Sequence, residues 1–187
     1  MSTSDGKIRV PRRAISSKEG SEADISKRIG IARGIFHALS KVWTSKDIKK
    51  SKKIEVFEIL VLNSLLYNSE TWCMKAVSKH RIKVFEMACL RKIEGVTKRD
   101  KLRNSEIQRR LKWKHDVIQR MQQRRLKFFG HVVRMSNDRF PHIALNGYVH
   151  RMRSRGRPKK RWIDTIREDC DEMKVDLHST YRYSHGA

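Results

Sequence analysis

Acidic residues are scarce in this chain. Only 20 Asp and Glu stand against 44 Lys and Arg in 187 residues, a formal net charge of +24. Such an imbalance is informative about partners more than about fold: phosphate backbones are the commonest match, with anionic membrane surfaces the rival. Long hydrophobic runs are missing too. The longest apolar stretch, residues 59–66, is interrupted by Asn63 and Ser64 and is far too short to span a bilayer. No apolar run near the start precedes a small-residue cleavage site, which points away from secretion. The three cysteines (Cys73, Cys89, Cys170) make no CxxC pair, and an odd count is a poor disulfide framework. A reducing, intracellular setting, nuclear or cytoplasmic, is expected.

Catalytic signatures are also lacking. The chain has no Gly-rich phosphate loop, no HExxH and no nucleophile elbow. Asp164, Glu168, Asp169, Asp171 and Glu172 do crowd one segment, but a two-metal site needs carboxylates converging from a rigid scaffold. These acids are expected instead to pair with Lys159, Lys160, Arg161 and Arg167 near the start of their own helix. Cys73 with His80, or Cys89 and Cys170 with a histidine, fit no zinc spacing, and buried free thiols are common. No metal, cofactor or small-molecule substrate is expected, and the chain is not expected to be an enzyme.

What the chain has is helical periodicity. Ile25, Ile29, Phe36 and Leu39 recur at helical spacing, and Val42 and Trp43 extend the stripe; Ser21 and Asp24 give a weak capping signal. A basic break over residues 46–53 leads into a second amphipathic helix marked by Ile54, Phe57, Val61 and Leu65. Residues 69–72 predict a loop or helix end. A third helix starts near Ser78 with Ile82, Phe85, Cys89 and Ile93, and Gly95 is a natural stop. Asn104 is placed to cap a short helix through Ile107 and Leu111. The clearest helix runs from about His115 to Met135 on the apolar face Ile118, Met121, Phe128, Phe129, Val132 and Val133. Residues 137–157 predict a loop, and a last helix runs from Trp162 to about Met173. With no strand pattern and no repeat, the fold class is all-α.

The cations are sorted by face. Arg120, Arg124, Lys127, His131 and Arg134 fall at i, i+4, i+7, i+11 and i+14, one continuous basic stripe on the clearest helix. A stripe of this kind is ordinarily the solvated side of a core helix. The lack of any Asp or Glu along it favours contact with nucleic acid, because a merely solvated face mixes both signs. A second concentration, Arg153, Arg155, Arg157, Lys159, Lys160 and Arg161, surrounds the sequence RGRPKK at residues 155–160. That core matches the AT-hook, whose extended Arg-Gly-Arg-Pro backbone enters the minor groove of A·T-rich DNA. The plainer reading is a basic linker touching phosphate without preference, and it is favoured because electrostatic contact needs no register. Trp72, Trp113 and Trp162 could stack on bases, but each sits beside an apolar helical pattern and is expected to anchor the core.

Four segments carry a resemblance: residues 20–33 (GSEADISKRIGIAR), 62–72 (LNSLLYNSETW), 125–134 (RLKFFGHVVR) and 156–162 (GRPKKRW). In this order, and across residues 20–174, the chain resembles the C-terminal part of the reverse transcriptase of non-LTR (LINE-type) retrotransposons. The resemblance implies a helical thumb and the linker after it, which grip template–primer duplex and element RNA. It also marks a departure. That family's polymerase depends on paired aspartates in a Tyr-x-Asp-Asp turn, and this sequence contains no such turn. The Cys–His knuckles of some family members are absent as well.

The expected organisation is a disordered leader (1–21), a thumb-like helical domain (22–113), a basic linker with C-terminal helical region (114–178) and a disordered tail (179–187). The expected function is a nucleic-acid grip without an active site. RNA, DNA or a hybrid would be held mostly through phosphates, with no membrane partner. The alternatives are an AT-hook-like DNA-binding protein, or an unfolded pseudogene remnant with Phe57, Leu60 and Leu65 exposed.

Overall fold

A computed structural model describes residues 21–146 and 160–176. Residues 1–20 of the expected leader, the tail and the cations Arg153, Arg155, Arg157 and Lys159 lie outside the described residues, and the leader's last residue, Ser21, opens α1. Within them the fold is all-α, with no strand. In chain order the helices are α1 (Ser21–Ala38), α2 (Ser40–Thr44), α3 (Lys50–Val56), α4 (Asn63–Leu65), α5 (Ala76–Glu94), α6 (Asn104–Arg110), α7 (Val117–Val133), α8 (Phe140–Asn146) and α9 (Trp162–Met173). A π-helical stretch, Phe57–Leu62, joins α3 to α4, and Ser69–Thr71 forms a 3-10 turn.

The predicted apolar stripes become the core. Ile25, Ile29, Ala32 and Phe36 are the buried face of α1, and Ile82, Phe85, Cys89 and Ile93 lie on that of α5. Trp43 folds α2 back onto α1: its indole N–H donates to the Phe36 carbonyl at 2.7 Å, and its ring stacks on Phe36 with centroids 4.9 Å apart. Phe57 meets Phe36 edge-on and tilts against Trp113, so three segments share one aromatic centre. Phe57 and Leu65 are fully buried, and Leu60 alone of the three residues named for exposure is exposed, beside Ile59. At the end of α5, Gly95 adopts φ +84°, and the N–H groups of Gly95 and Val96 both return to the Arg91 carbonyl at 3.0 Å. A left-handed residue of this kind closes a helix at least cost when it is glycine.

Several local expectations need correction. The basic break at residues 46–53 is half helix, because α3 begins at Lys50. Lys53 is buried, and its ammonium donates to the carbonyls of Trp43 (2.8 Å) and Ser45 (2.7 Å), so it closes the carbonyl end of α2. Ser21 and Asp24 do not cap α1. Ser21 Oγ accepts from the Cys73 N–H, and Asp24 Oδ2 from the Trp72 indole, tying α1 to a turn about fifty residues away. Asn104 is the first residue of α6 and not its cap; its side-chain oxygen accepts from Arg91. The cap of α7 is Asp116, in a reciprocal box with Gln119 (2.8 and 3.1 Å) that starts the helix two residues after His115. The loop predicted for residues 137–157 contains α8, whose Phe140 and Ile143 are exposed.

Two apolar clusters meet on α7. Val117, Ile118 and Met121 join the large core built with α1 and α5, whereas Phe129 and Val133 pack on Ile166 and Cys170 of α9. Trp162 completes the second cluster, its ring against Phe128 and Phe129 and its N–H donating to the Glu70 carbonyl at 2.7 Å. All three expected tryptophan anchors pack into apolar clusters, with Trp72 and Trp113 buried and Trp162 half-buried.

Candidate nucleic-acid interface

A helix seventeen residues long with no acidic residue of its own presents its stripe along about 21 Å from Arg120 to Arg134. The missing acids come from elsewhere in the fold. Glu58, in the π-helical stretch, pairs with Arg120, whose guanidinium also lies 4.6 Å over the Trp113 ring. Arg124 donates to the Leu66 carbonyl at 3.0 Å and reaches Asn63 at 3.4 Å, with Glu70 at 3.9 Å. The N-terminal half of the stripe is therefore clamped to the π-helical side of the molecule. A groove of about 480 Å³ lies there, lined by Glu58, Ile59, Asn63, Arg120, Gln123 and Lys127 among others.

The second half of the stripe differs. Lys127, His131 and Arg134 are exposed, and no carboxylate among the described residues comes within ion-pair distance of Lys127 or Arg134. These three span about 10 Å of helix. The charges of Lys127 and Arg134 are open to an anionic ligand.

Of the basic run, the structure describes Lys160 and Arg161. Lys160 pairs with Glu168, and at the start of α9 the Asp164 carboxylate accepts from both the backbone N–H and the guanidinium of Arg161 (3.0 Å each). Arg167 approaches the same carboxylate at 3.7 Å. The side chain and backbone N–H of Arg161 hold the Asp164 carboxyl below the ordinary carboxylate range. The expected pairing of the α9 acids with neighbouring cations is thus present for Asp164 and Glu168.

Asp169 pairs across the fold instead. It is buried and takes Arg125, itself fully buried, at 2.6 Å. Arg125 also donates to the Trp72 carbonyl at 2.7 Å, and Gln122 donates to Asp169 at 3.2 Å and to Glu172. One guanidinium thus joins α7, α9 and the turn after Ser69–Thr71. The stripe reading passed over Arg125, although a signal was present: Ile118, Gln122, Arg125 and Phe129 fall at i, i+4, i+7 and i+11, with two polar residues in core register.

A second buried acid has no such partner. Glu86 accepts from the Trp113 indole at 3.0 Å, and burial pushes its carboxyl up to about 7. Burial likewise raises the thiols of Cys73 and Cys170, and that of Cys89 to about 12, so they are poor nucleophiles. Among the described residues no three His, Cys, Asp or Glu side chains gather as metal ligands, and no helix is long and apolar enough to cross a membrane.

The sequence is similar to a curated protein of Caenorhabditis elegans described as uncharacterized and transposon-derived, at 24% identity over 168 residues. That match covers 88% of this chain and 60% of the relative, so the chain spans about three fifths of the length of the protein it matches. No family model matches the sequence, and no solved structure matches it.

Proposed function

We propose that this chain is a nucleic-acid-gripping piece derived from a transposable element, of the kind that follows the palm in a non-LTR reverse transcriptase. In this reading it holds RNA, DNA or a hybrid by the phosphate backbone and performs no chemistry of its own. The observation that carries the reading is the open ridge of Lys127 and Arg134, with His131 between them, on a helix without acids in a chain of net charge +24. Arg120 and Arg124 border the ridge with their charges partly spent on Glu58 and Glu70. Arg153, Arg155, Arg157 and Lys159 supply further phosphate contacts from the run before α9, with Lys160 and Arg161 contributing charge partly spent on Glu168 and Asp164. The transposon-derived relative supports the origin, and the four ordered segments support the more specific reverse-transcriptase ancestry.

Phosphate-dominated binding has a measurable signature. Each phosphate neutralised on a duplex adds about −0.9 to the slope of log K against log salt. Titrating duplex, hybrid and single strand across salt should give steep negative slopes, with little difference between unrelated sequences. Affinity that stays flat with salt, or is absent at low salt, overturns the proposal. Strong A·T preference would transfer it to the AT-hook reading. Primer extension by the chain alone should yield no synthesis; any template-dependent product overturns the non-catalytic part.

A further inference from the structure

A second groove, between α1, α2 and α5, shares no lining residue with the one beside α7. It encloses about 620 Å³ over a floor of Phe36, Trp43 and Phe85, with Val84 and Ala88 as an accessible wall. Arg33, His37, His80, Arg81 and Lys92 stand around it, and among the described residues no acidic side chain lines it. The length of α5 from His80 to Lys92 is about 18 Å, which accommodates roughly three turns of a docked helix. Val77, Arg81, Val84 and Ala88 fall on one row of α5, and both valines are at least half exposed, so the apolar surface continues past the groove.

Two glycines add an independent observation. Gly30 and Gly34 lie inside α1, exposed and about 100° around the helix from the groove-lining Ile29 and Arg33, and a Cβ at either position would meet nothing within 4 Å. The fold itself does not require them, although each costs a helix interior about 1 kcal/mol relative to Ala. A bare stretch of helix backbone lets another helix approach closely.

Charge and shape select among occupants. The chain's own residues 1–20 carry Lys7, Arg9, Arg12, Arg13 and Lys18 against two acids, so the cationic rim repels them. A second copy, at +24, is disfavoured on the same ground. A nucleic-acid strand would need free ring faces for its bases. Here Phe36 and Trp43 are stacked on each other, and all three floor rings are less than one tenth exposed. An amphipathic helix with an apolar stripe flanked by Asp and Glu satisfies floor and rim together. We infer that the α1–α5 groove is a docking site for an acidic amphipathic helix of a partner protein.

The test uses the full chain and a labelled peptide of about three to five turns, with leucines at i, i+3, i+4 and i+7 and glutamates on the flanks. Fluorescence anisotropy should detect binding. Replacing the leucines by serine, with charge unchanged, should weaken it about ten-fold or more. Val84→Glu or Ala88→Glu, each at an exposed position, should do the same, whereas Lys127→Glu with Arg134→Glu should leave it unchanged. Arg33→Glu with Arg81→Glu should weaken the glutamate peptide and spare a lysine-flanked version. Equal binding of the serine peptide, or wild-type affinity in both groove variants, overturns the proposal. So does an oligothymidylate that displaces the peptide and is itself weakened by Val84→Glu.

Discussion

Arg124 and Arg125 are neighbours in sequence and belong to different regions of the molecule. Arg124 sits on the outer face of α7, half exposed, with partners at 3.0 to 3.9 Å. Arg125 sits on the inner face, fully buried, with each of its three guanidinium nitrogens donating to Asp169 or the Trp72 carbonyl. A rotation of about 100° along a helix of 3.6 residues per turn separates a group available to a ligand from one that serves as an internal fastener. High positive charge in a sequence therefore does not identify a binding surface until each cation is assigned to a face.

The largest effect should come from breaking the inner face. Arg125→Ala leaves the Asp169 carboxylate buried and unpaired, which should destabilise the fold by about 3–5 kcal/mol. Thermal or urea unfolding reads this directly. Arg125→Lys should recover only part of the loss, because an ammonium cannot reproduce the planar fork shared by Asp169 and the Trp72 carbonyl. Full stability in Arg125→Ala would show that the inner and outer faces do not differ in kind.

Glu86 sharpens the same contrast, since it is a buried acid without an arginine. Its folded pKa of about 7 lies above the ordinary glutamate value of 4.5. The native state thus holds a proton that the unfolded state releases between those values. Its favourable contribution is fully present below about 4.5 and is lost as pH rises through about 7. Unfolding free energy should fall by roughly 3 kcal/mol across that window from this group. Glu86→Gln, which keeps an acceptor for the Trp113 indole, should flatten that part of the pH profile and raise stability above pH 7. An unchanged profile would show that Glu86 is not the titrating group.

The smallest effect on stability belongs to the outer face. Lys127→Glu with Arg134→Glu should change unfolding free energy by less than about 0.5 kcal/mol per site. The same pair should make the salt dependence of duplex binding shallower by about 0.9 per lost phosphate contact. Arg120→Ala should show the reverse balance, losing about 1 kcal/mol of stability through its Glu58 pair and its contact with Trp113, with less effect on binding. Equal loss of binding at Arg120 and Lys127 would erase the division between the clamped and open halves of the stripe.

Period-3.6 spacing alone was enough to locate α1, α5, α7 and α9 to within a few residues, because burial of one apolar face imposes that period. Gly95 was legible as a stop for a similar reason: only a residue without a Cβ takes φ +84° freely. Short or interrupted elements were not legible in this way. Residues 46–53 look like a solvated basic break until Lys53 is seen to close α2, and α8 carries too few turns to declare a period. The stripe's lack of acids was correctly read along α7, yet Glu58 and Glu70 cross from other elements to neutralise part of it.

By itself, then, the sequence determined an all-α chain with a large cationic excess and a set of core faces, since composition and periodicity are local properties. Only the tertiary structure decided which cations are left for a ligand. Ion pairs form between residues some sixty positions apart, as with Arg120 and Glu58, and pairing at that separation is set by packing and not by spacing along the chain.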